Sequence, residues 1–112
     1  MKSKEEVSIR KMINYIDKAL RYTSEVSFEE FSKNEEKTDA TIFALSQVGE
    51  LVKNIENETI KKYPAVPWIV VKNLRNKIVH DYEGIKLNVI WDIISEDIVQ
   101  LKKQLEEIIN NK

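Results

Sequence analysis

Apolar residues recur at intervals of three and four along almost the whole chain, and each stretch predicts one face of an α-helix. Ile9, Met12, Ile13, Ile16, Ala19 and Leu20, with charged residues between them, predict an amphipathic helix from about Lys4 to Thr23. Ser27 followed by Phe28, Glu29 and Glu30 reads as a capping box. The hydroxyl accepts from the third amide and the glutamate reaches back, so a short helix starts here and stops near Lys33. A longer helix is expected from about Glu35 to Glu58, because Thr41, Ala44, Leu45, Val48, Leu51, Val52 and Ile55 fall in one arc. Phe43, Glu50 and Asn54 lie on its opposite side. Tyr63-Pro64-Ala65-Val66-Pro67 breaks the pattern, and Pro67 suits a first helical turn. The next helix therefore runs from Pro67 to about His80 and ends at Asp81-Tyr82-Glu83-Gly84. From Leu87 to Asn110, Ile90, Ile94, Ile98, Leu101, Leu105 and Ile108 form a continuous seam, with a bend expected near Ser95. Four long helices, short links and no strand signal predict an all-α, up-and-down four-helix bundle with a short extra helix.

Composition narrows the chemistry. The chain has 112 residues, which is the size of one domain, and residues 1–112 are read as one. Two Gly in the whole chain exclude glycine-rich phosphate loops and dinucleotide fingerprints. No Cys and one His exclude thiolate zinc sites, cysteine nucleophiles and multi-histidine metal sites, so no metal or cofactor is expected. No apolar run approaches the ~20 residues needed to cross a bilayer. Met1 to Arg10 is charged rather than signal-like, so a cytoplasmic, non-membrane protein is the expectation.

The net charge of −1 hides an uneven distribution. Lys61, Lys62, Lys72, Arg75 and Lys77 lie between Thr59 and His80 with no acid among them, so this stretch carries +5 and the remainder −6. Such a segment in an acidic chain suits an anionic ligand. On a wheel of the Pro67–His80 helix, Arg75 falls inside the apolar arc of Trp68, Val71, Leu74, Ile78 and Val79. It must snorkel, pair with a carboxylate such as Glu50, or face a cleft. His80, the one side chain suited to proton transfer near neutral pH, groups instead with Asn73 and Asn76, roughly 140° from Arg75. A single chain therefore does not bring Arg75 and His80 together easily.

Arg75-Asn76-Lys77-Ile78-Val79-His80-Asp81-Tyr82 has the form RN-x-x-x-H-x-Y and resembles the signature of HEPN ribonucleases. Val48-Gly49-Glu50, Pro64-Ala65-Val66-Pro67-Trp68 and Val89-Ile90-Trp91-Asp92-Ile93-Ile94, in that order around the motif, resemble the HepT-like toxins more narrowly. The resemblance implies a homodimer whose motif helices face each other, so that two copies of Arg75 and His80 form one cleft. It implies a metal-independent endoribonuclease toxin acting on RNA, paired with a minimal nucleotidyltransferase antitoxin that neutralises it by attaching AMP to Tyr82. In that frame Arg75 and His80 are catalytic, and Asn76, Tyr82, Lys72 and Lys77 support them or contact RNA. The alternative is a non-catalytic HEPN-type dimer that binds a nucleotide or a partner protein.

Overall fold

The computed structural model describes residues 3–81 and 87–111, and for residues 77–81 the backbone alone. The described residues form helices and connecting turns, with no strand among them. Helix α1 (Lys4–Thr23) opens with the Ser3 hydroxyl accepting from the Glu6 amide at 3.0 Å. Its buried face is Ile9, Met12, Ile16 and Ala19, as the periodicity predicts. Helix α2 (Phe28–Lys33) carries the expected capping box: Glu30 N–H donates to the Ser27 hydroxyl, and Ser27 N–H donates to the Glu30 carboxylate. Asn34 then caps helix α3 (Glu35–Leu51) by accepting from the Lys37 amide. The Thr38 hydroxyl donates to the Phe31 and Asn34 carbonyls, which fixes the corner between α2 and α3.

Helix α3 is the centre of the molecule and packs against α1 on one side and helix α5 (Trp68–Asp81) on the other. It is shorter than the expected span to Glu58. A 3₁₀ turn, Val52–Asn54, follows it, and Ile55 is extended at φ −85°, ψ 129°. The short helix α4 (Asn57–Lys62) then begins. No Pro or Gly causes this break. The buried Glu5 carboxylate of α1 accepts from the Glu56 amide at 3.0 Å, which satisfies a donor that a continued helix would have bonded internally. Ile55 remains buried, so the apolar arc survives although the helix does not.

Helix α5 (Trp68–Asp81) starts one residue after Pro67, whose carbonyl accepts from the Val71 amide. Trp68 is buried, and its indole N–H donates to the Tyr63 carbonyl across the proline segment. The chain ends in α6 (Leu87–Asp92), a π-helical segment Ile93–Asp97, and α7 (Ile98–Asn110). The predicted seam of Ile90, Ile94, Ile98, Leu101, Leu105 and Ile108 is buried throughout, and the wide turn coincides with the bend expected near Ser95. No helix among the described residues is long and apolar enough to cross a membrane.

Candidate functional site

The motif helix α5 lies on α3 at one close crossing. A Cβ built on Gly49 would sit 2.7 Å from the Val71 carbonyl oxygen, 2.9 Å from the Arg75 amide nitrogen and 3.0 Å from the Arg75 Cβ. All but the last of these are backbone atoms, so only a residue without a side chain lets the helices approach here. The residue after it, Glu50, faces the residue it brings close. The Arg75 Nε lies 3.3 Å from Glu50 Oε2, and Lys53 Nζ lies 2.7 Å from Glu50 Oε1. One carboxylate thus serves two cations, one per oxygen. The bond and charge of Lys53, with a further contribution from Arg75, hold the Glu50 carboxyl below the usual carboxylate range. Glu50 is thus the carboxylate partner that the position of Arg75 called for.

Arg75 lies where the wheel places it, toward α3 rather than outward. Its side chain is 42% exposed, and its Nη1 donates to the Asn76 side-chain oxygen at 3.2 Å. The guanidinium is thereby held by a carboxylate through Nε and by an amide through Nη1, within reach of solvent. Asn76, Asn73 and Lys72 are exposed. The side chains of Lys77 and His80, and Tyr82 altogether, lie outside the described residues. The backbone of α5 continues through His80 to Asp81.

Two features were not read from the sequence. Ile69 and Val70 of α5 are 76% and 69% exposed, an apolar step beside the motif face. Between α5 and α7 an apolar cleft of about 450 Å³, with Val71, Leu74 and Leu101 in its walls, leaves α5 held mainly by α3. Gly49 had a signal, being a glycine in the middle of a helical pattern, which often marks close backbone approach. Ile69 and Val70 also had one, since the wheel of this helix leaves both outside the apolar arc of Trp68, Val71, Leu74, Ile78 and Val79. Among the described residues, no group of His, Cys, Asp and Glu could hold a metal ion.

The chain belongs to the ribonuclease HepT-like family, whose sequence pattern matches residues 12–108. It is similar to a Methanocaldococcus jannaschii protein provisionally named an RNase, with 40% identity over 90 residues, covering 80% of this chain and 74% of that protein. A Caldanaerobacter subterraneus protein, also provisionally named an RNase, is 37% identical over 87 residues, 78% of each chain. A Thermococcus cleftensis protein provisionally named ribonuclease HepT is 36% identical over 87 residues, 78% of this chain and 79% of its own. No solved structure gives a significant match.

Proposed function

We propose that the protein is a metal-independent endoribonuclease toxin whose active site is completed by dimerisation. The observation that carries this reading is the placement of Arg75. It is half-exposed, oriented by Glu50 and Asn76, and five residues before the sole histidine of a ribonuclease-family chain. The exposed Ile69 and Val70 support a second α5 packing across the motif face. Such a pairing resolves the angular separation of Arg75 and His80, since each can serve the other chain's partner residue.

The reaction follows from the substrate. One His80 imidazole takes the proton of an RNA 2′-hydroxyl, and that oxygen attacks the adjacent phosphorus in line. The bond to the 5′-oxygen breaks, and the second copy's His80 donates a proton to it. The products are a 2′,3′-cyclic phosphate and a 5′-hydroxyl. Arg75 binds the phosphate with the guanidinium edge that its contacts to Glu50 and Asn76 leave outward, and it offsets the developing charge. Lys72 and Lys77 add positive charge along the same helix, and Asn76 and Tyr82 line the RNA path. A minimal nucleotidyltransferase antitoxin would block this site by attaching AMP to Tyr82.

Cleavage of single-stranded RNA in EDTA tests the reading. Wild type should release cyclic-phosphate ends, and His80→Ala should lose about 10²- to 10⁴-fold in rate, the usual contribution of general acid–base catalysis. Equal rates for wild type, His80→Ala and Arg75→Ala would sink the mechanism and leave the non-catalytic dimer.

A further inference from the structure

Helices α1 and α3 run antiparallel, as two contacts between them and one to the segment after α3 show. Lys37 Nζ donates to the Tyr22 carbonyl, Tyr15 meets Phe43, and the Glu5 carboxylate accepts from the Glu56 amide. The outer edge of α1 beside α3 is a stripe of Lys4, Lys11, Tyr15, Lys18 and Tyr22, at steps of seven, four, three and four residues. The acids of α1 lie on other faces: Glu6 pairs with Arg10, Asp17 with Lys102 of α7, and Glu5 is buried. Across from this basic and aromatic stripe stands Phe43, 57% exposed, with its ring 6.2 Å from Tyr15 and edge-on at 79°. Lys18 Nζ sits 5.2 Å from the centroid of the Tyr15 ring. An exposed phenylalanine braced by a tyrosine and flanked by lysines offers one flat face to solvent and positive charge beside it.

Phe43 also points toward the site. Phe43 and Glu50 are seven residues apart on one α3 stripe, about 10 Å along the axis at 1.5 Å per residue. Glu50 holds Arg75. Because the helices are antiparallel, Lys11 flanks the stretch between Phe43 and Glu50, whereas Lys18 lies at the Phe43 end. The acids Glu36 and Asp39 come before Phe43 on α3, so the basic path leads from Phe43 toward Arg75 and not away from it.

We infer that this α1–α3 edge is a track for single-stranded RNA, in which an unpaired base stacks on Phe43, a phosphate between it and the scissile bond meets Lys11, and a phosphate on the other side of that base meets Lys18. The inference rests on the ribonuclease reading of Arg75 and His80 and names how that site receives its substrate. Aromatic stacking tolerates every base, and lysines track the backbone without reading sequence, so the track selects for unpaired strands rather than for a motif.

The test uses the full chain and a fluorescein-labelled 12-nucleotide RNA of mixed sequence. Binding is read by anisotropy in the His80→Ala background, and cleavage is read with His80 intact. Phe43→Ala should weaken binding by roughly 5- to 160-fold, the range for loss of one stacked base, with Phe43→Trp restoring it. The pair Lys11→Gln and Lys18→Gln should lower the slope of log affinity against log salt by about 1.4. Loss of the Phe43–Tyr15 contact should lower the melting temperature by no more than several degrees, so binding and cleavage are compared well below the transition. If wild type cleaves RNA and Phe43→Ala binds and cleaves equally well, the track is overturned while the ribonuclease reading stands. Binding that depends on Phe43 in a protein that cleaves nothing supports the track and removes the ribonuclease reading. A change in oligomeric mass on Phe43→Ala would make this ring a protein contact and overturn the track.

Discussion

Gly49→Ala is the substitution that most directly separates helix propensity from helix packing. In an isolated helix it should stabilise by about 0.5–1 kcal/mol, because glycine has the greater backbone entropy to lose. At this crossing the new methyl meets the Val71 carbonyl oxygen at 2.7 Å and the Arg75 amide nitrogen at 2.9 Å. Neither can rotate away as a side chain can. Restoring an ordinary separation of about 3.5 Å requires α3 and α5 to part by roughly 0.5–1 Å. Overpacking of this kind costs about 1–3 kcal/mol, so the net effect is a loss of about 1–2 kcal/mol. For a domain of this size that lowers the melting temperature by roughly 5–10 °C. The same displacement lengthens the 3.3 Å contact between Arg75 and Glu50, so activity should fall further than stability at a temperature where the variant is folded. Thermal melts by circular dichroism, alongside RNA cleavage well below the transition, check both parts. A melting temperature equal to or above wild type would show that propensity outweighs the crossing, and the account of Gly49 as the residue that seats the motif helix would be wrong.

Two further outcomes are expected. Thr41 is fully buried, and among the described residues its hydroxyl has no hydrogen-bond partner, so Thr41→Val should raise stability by about 1 kcal/mol; a destabilised variant would reveal an unseen partner. A carboxyl-detected NMR titration should find the Glu50 midpoint below the ordinary glutamate value. Its stabilising pairing is therefore complete above that ordinary value and is lost as pH falls through the lowered midpoint. Lys53→Ala should raise the midpoint more than Arg75→Ala does, since Lys53 supplies the larger effect, and the reverse order would contradict the geometry.

What was legible from sequence was what is local. The Ser27 cap, the span of α1 and the limits of α2 depend on residues close together in the chain, and they were read with the observed boundaries. The end of α3 was not legible, because its cause is Glu5, fifty-one residues away from the amide it accepts from. The second buried flank of α3 was missed for a related reason. A single apolar arc describes a helix with one buried face, but Ile42, Ser46 and Gly49 are buried as well, on the side that meets α5. Arg75 was legible as an anomaly, a charge inside an apolar arc, and Glu50 was among the carboxylates that could answer it. Phe43 was legible as an exposed ring, but its pairing with Tyr15 depends on how α1 and α3 align. The readings for His80 and Tyr82 fall on side chains outside the described residues.

The wide turn at Ile93–Asp97 has an angular consequence for the last third of the chain. Ile90, Ile94 and Ile98 are spaced by two steps of four, which in a regular helix of 3.6 residues per turn would rotate the third side chain about 80° from the first. All three are buried, together with Leu101, Leu105 and Ile108 further along. The segment closes with the Ile98 amide donating to the Ile93 carbonyl, five residues back, and this larger loop absorbs about one extra residue. It adjusts the helical phase, so that α6 and α7, which packs on α1, face the same core. The orientation in which the chain leaves the motif region is thus set by five residues that contribute one core side chain of their own, Ile94.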